Sequence, residues 1–323
     1  ATSFNQNIGT WDITKVLNMR SMFSNATSFN SNIGTWTISS TTNMSYMFAG
    51  ASDFNQSINT ANGKWNMSSV TTIEGMFHNA SDFNQNLNNW DTSNVTSMIG
   101  VFHGAHAFNG NISNWNTGNV TNMRNMFQDA HVFNENIGNW NTSNVTNMQS
   151  LFHSARVFNR SIGSWDTSKV TNMQSTFDSA LAFNQNIGNW NVSSVTVMEG
   201  MFYGTVFNQN IGSWNTSAVT NFNFMFKNNR VFNQNIGNWN TISATSMQGM
   251  FEGVYAFNQP IGSWTVSAVT STQNMFKDTQ NFNQPIGNWN TGNVTNMSYM
   301  FYNASAFNQP IGNWNVSNLR TAH

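Results

Sequence analysis

Residues 133–157 read FNENIGNWNTSNVTNMQSLFHSARV, and related copies of this stretch recur along the whole chain at a period of about 25 residues. Each copy has Phe-Asn, then an Ile or Leu, then a Trp. Self-similarity at 20 to 50 residues is typical of a solenoid, whose units bury their apolar faces only against their neighbours. All thirteen Trp residues of the protein occupy one column of the repeat: Trp11, Trp36, Trp65, Trp90, Trp115, Trp140, Trp165, Trp190, Trp214, Trp239, Trp264, Trp289 and Trp314.

The two halves of the repeat carry different patterns. In the second half, apolar residues fall on one face of a helix, with Ser143 or Asn144 placed to cap its first turn. The first half, Phe-Asn-Gln-Asn-Ile-Gly, is too short for a helix and fits a brief strand that bends near the Gln. The sequence therefore predicts an α/β repeat solenoid of about 13 turns of 25 residues. Short parallel strands would lie on one side and short helices on the other, in a single domain over residues 1–323.

Glycine, proline and two irregularities refine this expectation. The Gly after the Ile predicts a turn with positive φ. In three repeats the Asn directly before the Ile is replaced by Pro, at Pro260, Pro285 and Pro310. Because Pro cannot donate a ladder hydrogen bond, this position is predicted to lie at a strand end. Four extra residues, Thr60-Ala61-Asn62-Gly63, precede Trp65, and one residue is missing between Tyr203 and Phe207. Both irregularities are expected to be loops that leave the register intact.

The amino-acid composition argues against nucleic acids, membranes and thiolate-bound metals as partners of this protein. Charged residues make up 7% of the chain and its net charge is −1, against about 25% charged residues in ordinary soluble proteins. No basic field is present to hold a nucleic acid or an anionic membrane. The absence of Cys excludes disulfides and thiolate metal sites. No run of 18 apolar residues predicts a spanning helix, so we expect neither nucleic-acid binding nor membrane insertion.

The residue after the repeat Phe is Asn in every copy. We predict a structural ladder of buried amides that bond the backbone of the adjacent turn, and the alternative is an exposed recognition array. The column consists of Asn5, Asn30, Asn55, Asn84, Asn109, Asn134, Asn159, Asn184, Asn208, Asn233, Asn258, Asn283 and Asn308.

Several other columns have a functional and a structural interpretation. His78, His103 and His153 share one column, and His106 and His131 share another. A variable exposed column is favoured over a metal site, because metal sites need three or four ligands and a second shell. The Trp column is interpreted as core rather than as a ladder for stacking sugars. No catalytic constellation and no cofactor motif stands out.

Asn-X-Ser/Thr sequons are frequent. We regard Asn94, Asn144, Asn293 and Asn303 as possible glycosylation sites. The competing interpretation is that helix-cap chemistry creates Asn-X-Thr by repetition.

These columns resemble the BspA-like leucine-rich-repeat surface proteins, in particular the mycoplasma-type subfamily with the motif FNQ.I..W..S.VT.M..MF..A. Units such as Phe307-Asn308-Gln309, Trp314 and Met300-Phe301 carry the match, which extends over the whole chain. The resemblance implies a right-handed, leucine-rich-repeat-like coil, an extracellular or cell-surface location, and a role in adhesion or interaction. It transfers no catalytic residues.

The leading functional hypothesis is a non-enzymatic extracellular repeat protein for adhesion, scaffolding, or filament or surface-layer assembly. Its partners would be proteins or glycans at a cell surface, or further copies of itself stacked end to end. The alternative is binding to ice or another crystalline surface through the regular Thr and Asn columns. The repeat faces at Phe4 and Trp314 are expected to be open, so that missing flanking repeats or caps, or head-to-tail stacking of copies, would cover them.

Overall fold

The computed structural model describes residues 1–59 and 64–322. The chain divides into two compact units, Ala1–Asp166 and Thr167–His323. Each unit is a stack of similar coils, one coil for each sequence repeat, as expected for a repeat solenoid. A single continuous domain over residues 1–323 stays a prediction.

Regular secondary structure is replaced by turns and isolated bridges. The described residues contain no helix and no extended strand. Successive coils pair through single parallel bridges, most of them in the column between the Thr and the Met of the repeat. In the first unit these are Asn18↔Asn43, Asn43↔Thr72, Thr72↔Ser97, Ser97↔Asn122 and Asn122↔Asn147, with a further bridge at Ile38↔Trp65. In the second unit they are Asn172↔Val197, Val197↔Asn221, Asn221↔Ser246, Ser246↔Ser271, Ser271↔Asn296 and Asn296↔Thr321.

The predicted helices are therefore wrong, and left-handed residues explain why. The N–H of Leu151 donates to the carbonyl of Met148 (3.2 Å) and that of Ala155 to Phe152 (3.0 Å). Each bond closes a β-turn whose third residue has positive φ, namely Ser150 (52°) and Ser154 (56°). Single residues visit the left-handed region, but a right-handed helix cannot pass through it.

The sequence signal for these turns lies in the column of Ser154. It holds only residues that tolerate positive φ: Asn25, Gly50, Asn79, Gly104, Asp129, Ser154, Ser179, Gly204, Asn228, Gly253, Asp278 and Asn303. A helix surface has no reason to exclude Lys, Glu, Gln and Ala from one column, so this restriction could have indicated the turns.

Alternate backbone N–H groups in the same segment point along the stack. The donors Met123, Asn125, Phe127 and Asp129 bond the carbonyls of Asn147, Gln149, Leu151 and His153 at 2.8–3.0 Å. Bonds to the next coil thus replace the i→i−4 bonds of a helix and satisfy the buried backbone. The predicted strand in Phe-Asn-Gln-Asn-Ile-Gly is also wrong, because the parallel bridges form in the half of the repeat where the helix was expected.

The core contains the residues that the helical pattern selected, even though the helix is absent. In the coil 108–132 they are at most 3% exposed: Phe108, Ile112, Trp115, Val120, Met123, Met126, Phe127 and Ala130. Tandem turns place the first and fourth residue of each turn inside, which reproduces the i, i+3, i+4 spacing of an amphipathic helix.

Three aromatic ladders run through the core. Consecutive Trp rings in a unit stack with centroids 6.0–6.5 Å apart. The Phe of Phe-Asn and the Phe of the second half form the other two, and they meet at about 4 Å where one coil passes into the next, as in Phe127–Phe133. The indole N–H of Trp115 donates to the carbonyl of Leu87 at 2.9 Å. Interior Trp side chains are buried, which excludes sugar stacking on them.

The Gly after the Ile serves a different purpose from the one expected. These glycines do not have positive φ, and the left-handed glycines lie instead in the turn columns, such as Gly100 and Gly253. A Cβ on Gly138 would lie 2.6 Å from the carbonyl oxygen of Ser161 in the next coil. Close approach of two backbones favours Gly at these positions, whereas Asn59, Asn88 and Ser113 occupy the column in three other repeats.

The two irregularities differ in what the structure describes. The extra residues Thr60–Gly63 lie outside the described residues. At the other, the backbone N–H of Phe207 donates to the Thr205 hydroxyl oxygen (3.4 Å), in place of the backbone bond that other coils form here, such as Phe133 to Ala130. Phe207 still stacks on Phe183 at 6.0 Å, so the register continues.

Candidate interaction surface

Three neighbouring columns carry side chains that differ strongly from coil to coil, and we call them the variable face; the column of His106 and His131 varies as well. It consists of the positions equivalent to Arg124, Asn125 and Gln128, in the segment of tandem turns. In the first unit the face comprises Arg20, Ser21, Ser24, Ser45, Tyr46, Ala49, Glu74, Gly75, His78, Ile99, Gly100, His103, Arg124, Asn125, Gln128, Gln149, Ser150 and His153. The core beneath these columns is nearly the same in every coil, so the exposed chemistry of one coil differs from that of the next at these positions.

The histidine columns form a cluster in the first unit. The rings of His78 and His103 meet edge to face with centroids 4.4 Å apart. Nε2 of His103 and Nε2 of His131 each lie 3.8 Å from a carboxylate oxygen of Asp129. His106 hydrogen-bonds through Nδ1 to the Asp129 carbonyl at 2.9 Å.

Burial favours the neutral form of His78 and His103. Desolvation, with a smaller contribution from neighbouring His78, lowers the pKa of His103 from 6.5 to about 4. Desolvation also lowers the pKa of His78. Both imidazoles are therefore neutral at neutral pH and can donate and accept hydrogen bonds. Within the described ranges, no group of three or more His, Asp or Glu side chains is arranged to hold a metal ion.

We expect acid to destabilise the first unit through His103. The unfolded chain takes up a proton as the pH falls through 6.5, whereas the folded imidazole, facing His78, His106, His153 and Asp129, does so only near 4. The unfolded state binds more protons between these values, so stability falls as the pH drops. Allowing for partial exposure, the loss between pH 7.5 and pH 5 is about 1 kcal/mol. Urea midpoints at both pH values should show a smaller loss in His103→Gln; equal losses would contradict the assignment.

The second unit carries a charged and aromatic cluster on the same face. The nearly buried carboxylate of Glu252 pairs with Lys227 at 3.0 Å and with Lys277 at 3.5 Å. The Lys227 ammonium also lies over the rings of Tyr203 (5.9 Å) and Phe224 (5.3 Å). Three successive coils are thus joined by one carboxylate between two cations, and the aromatic rings beside them are half-buried.

The Asn column forms hydrogen bonds between coils. Oδ1 of Asn84 accepts from the backbone N–H of Asn109 at 2.8 Å, and the same bond recurs in both units at 2.8–3.0 Å. Gln side chains such as Gln234 add a second bond to the same oxygen. The sequence predicted that these side chains are buried, but in the structure they are exposed or half-buried. We propose a structural role for this ladder.

The side-chain nitrogen of each of the four sequon asparagines donates a hydrogen bond. Nδ2 of Asn94, Asn144 and Asn293 donates to a carbonyl of the preceding coil at 2.7–2.8 Å. Nδ2 of Asn303 donates to Asp278 at 2.8 Å. Since Nδ2 is the atom that a glycan would modify, glycosylation would have to break these bonds. Their modification stays a prediction.

An exposed Thr column runs beside the bridges. Its hydroxyls donate to the carbonyl of the preceding Thr, as from Thr121 to Thr96 (3.3 Å) and from Thr245 to Thr220 (3.1 Å). A second Thr column is buried, and there Oγ1 of Thr117 donates to the Asn141 carbonyl at 2.9 Å. Both columns tie neighbouring coils together.

Apolar side chains are accessible on the last described coils. A cavity of about 460 Å³ is lined by Met297, Met300, Phe301, Tyr302, Ile311, Gly312, Trp314 and Val316. Trp11 is 50% exposed in the first coil. Coverage of these faces by further repeats or by another copy stays a prediction.

Stacked coils with a nearly constant core define the class of repeat solenoids. The chain matches the model of the family described as "Mycoplasma protein of unknown function, DUF285" over residues 1–63, 58–162, 132–239, 188–280 and 220–323. These segments cover the whole chain, which therefore belongs to this family. The mycoplasma-type resemblance drawn from the repeat motif is confirmed.

Solved structures of leucine-rich-repeat proteins show distant similarity. A leucine-rich cell surface protein from Faecalibacterium prausnitzii is 12% identical, with 90% of this chain and 74% of that chain covered and a TM-score of 0.41. An internalin from Listeria monocytogenes is 13% identical, with coverages of 78% and 77% and a TM-score of 0.24. The TLR13–ssRNA13 complex is 10% identical, with coverages of 90% and 44% and a TM-score of 0.30. No curated protein matches the chain.

The described part of the chain has no helix with the length and apolar character needed to cross a membrane.

Proposed function

We propose that this chain is a non-enzymatic, extracellular or cell-surface repeat protein that binds proteins or glycans through its variable face. The observation that carries the proposal is that side chains of varied chemistry, among them those of the variable face, lie on the surface above a nearly constant core. Solenoids commonly use an extended surface of this kind for recognition. Adhesion, scaffolding and surface-layer assembly are all roles that such binding would serve.

A non-enzymatic role is consistent with how the polar groups are used. Hydroxyls and amides in the constant columns bond carbonyls or N–H groups of neighbouring coils, as Thr117 and Asn84 do. Glu252 is held between two lysines. These groups stabilise the stack, and their hydrogen bonds leave little capacity for acid–base chemistry on a substrate.

An array experiment tests the proposal. The purified chain is screened against immobilised glycans and surface proteins, next to the double variant Tyr203→Ser/Tyr302→Ser, which removes two aromatic rings from the variable face. The matched control is Val206→Ser/Val231→Ser, which alters two apolar side chains that are each 44% exposed outside that face. We expect reproducible binding that the tyrosine variant weakens and the control retains. Turnover of a substrate, or binding lost equally in both variants, would contradict the proposal.

Ice or crystal-surface binding is the second candidate, and the exposed Thr column is the observation in its favour. Its hydroxyls repeat once per coil, at a spacing of about 4.8 Å if the coils pair like strands, and their bonds to the preceding carbonyl fix their orientation. Thermal hysteresis and ice shaping at millimolar protein test this candidate. Normal ice crystals and no hysteresis would remove it.

A further inference from the structure

A slot on the variable face of the first unit arises from two consecutive glycines. In the left-handed column, Gly75 and Gly100 occupy neighbouring coils, whereas Tyr46 precedes them and Asn125 follows. Nowhere else in the sequence does this column have Gly in two successive repeats. Without side chains at two levels, the surface forms a cavity of about 240 Å³.

Tyr46 closes one end of the slot. Its φ is 57°, which is a strained conformation for a bulky residue. Its ring lies over Gly75, where a Cβ would overlap ring carbons Cδ1 and Cε1. The guanidinium of Arg20 lies over the same ring, 5.4 Å from its centroid. The glycine and the arginine together hold the tyrosine ring at the edge of the cavity.

Gly100 forms an open floor. A Cβ there would meet nothing closer than Cβ of His103 at 3.8 Å, so no neighbour occupies the space above it. The remaining walls of the cavity are His78 and His103, together with Ile99, Arg124 and Asn125. The slot therefore combines apolar walls with neutral imidazoles, an amide and one guanidinium.

The chemistry of the walls defines the occupant. Imidazoles that both donate and accept suit hydroxyl groups, and the Tyr46 ring and Ile99 suit the C–H faces of a sugar. The Arg124 side chain is exposed, and its guanidinium has no ion-pair partner within residues 1–59 and 64–322. A guanidinium binds a carboxylate through two parallel hydrogen bonds.

We propose that the slot over Gly100 binds one hexuronate unit of a glycan, with its carboxylate on Arg124 and its hydroxyls on His78 and His103. This inference rests on the proposed function and gives it a site and a ligand class. The cavity is smaller than the 300–1,000 Å³ typical of drug-sized ligands, which fits a single sugar ring. An acidic peptide side chain would offer a carboxylate but no hydroxyls for the imidazoles.

Titration with small probes tests the site. Methyl glucuronide and methyl galacturonide are added to the full chain and followed by saturation-transfer NMR, with methyl glucoside and glutarate as the neutral and the ring-free probes. We expect at least one uronide to bind with a Kd on the order of 1 mM, as its small size permits. Both control probes should bind at least about tenfold more weakly, the equivalent of one lost polar contact.

Matched glycine variants locate the binding. Gly100→Asn fills the slot with a residue that this column accepts at Asn125 and Asn274, both left-handed. Gly200→Asn makes the same change at an equivalent left-handed glycine in the other unit. We expect Gly100→Asn to abolish uronide binding and Gly200→Asn to retain it, with unchanged thermal midpoints showing that both variants fold.

Three outcomes would overturn the inference: no uronide binding at about 20 mM, equal binding of glucoside or glutarate, or binding that survives Gly100→Asn. Failure of the inference differs from failure of the proposed function. If array binding persists in Gly100→Asn while uronides do not bind, the variable face still recognises a partner but the slot does not. If the array shows no binding while uronides bind at the slot, the slot is supported as a uronide site, and recognition by the rest of the variable face is not.

Discussion

Phe127→Ala is expected to lower the free energy of unfolding by about 3 to 5 kcal/mol, the range for deleting a fully buried aromatic side chain. The Phe127 ring lies in the middle of the first unit and is fully buried. Its centroid is 4.0 Å from that of Phe133, 5.6 Å from Phe152, 5.8 Å from Phe102 and 6.2 Å from Trp140. One substitution therefore removes contacts in three coils, interrupts one aromatic ladder and removes its contacts with the other two.

Urea unfolding followed by Trp fluorescence measures this effect. Phe127→Leu keeps most of the apolar volume but loses the ring stacking, so we expect an intermediate loss of about 1 to 2 kcal/mol. Gln128→Ala, the next residue on the variable face, is the control and should change the midpoint little. A loss below about 1 kcal/mol for Phe127→Ala would show that the ladders do not hold the coils together.

Gly188→Ala is expected to destabilise the second unit by about 2 to 3 kcal/mol, although it adds one methyl group. A Cβ at this position would lie 2.6 Å from the carbonyl oxygen of Asn210 in the next coil, and backbone cannot rotate away as a side chain does. The coils would have to separate locally, which stretches bonds and packing on both sides.

The same column supplies a matched control for this prediction. A Cβ on Gly312 would meet nothing within 4 Å, so Gly312→Ala should be neutral or slightly stabilising because alanine restricts the unfolded chain. Thermal melts of both variants, compared with the wild type, give the contrast. Similar melting temperatures for the two variants would mean that the close approach at Gly188 relaxes without cost.

Sequence reasoning identified the core residues but assigned them to the wrong secondary structure. Val, Met, Met and Phe of the second half were selected by a helical period, and they are buried as expected. The prediction of a helix was wrong because an i, i+3, i+4 spacing of apolar residues fits tandem turns as well as a helix. The column of Asn, Asp, Ser and Gly at Asn79, Ser154 and Gly253 carries the decisive information, namely tolerance of positive φ.

The candidate site depended much more on the fold. Gly75 and Gly100 are unremarkable in the sequence, since glycine is common in this chain. Only the stacking of coils shows that they are vertical neighbours, that Tyr46 leans over the first, and that the second is left open. The sequence places His78 and His103 in one column, but burial, which lowers the pKa of His103 to about 4, could not be inferred from spacing.

The sequence by itself determined the repeat, its core columns and its family, because the periodic burial of large apolar side chains leaves a direct record in residue type. The tertiary structure alone decided that the chain turns instead of forming helices and strands. It also decided which glycines face a neighbouring carbonyl and which face solvent. Those features depend on distances between coils, and a residue's identity does not specify what the next coil places against it.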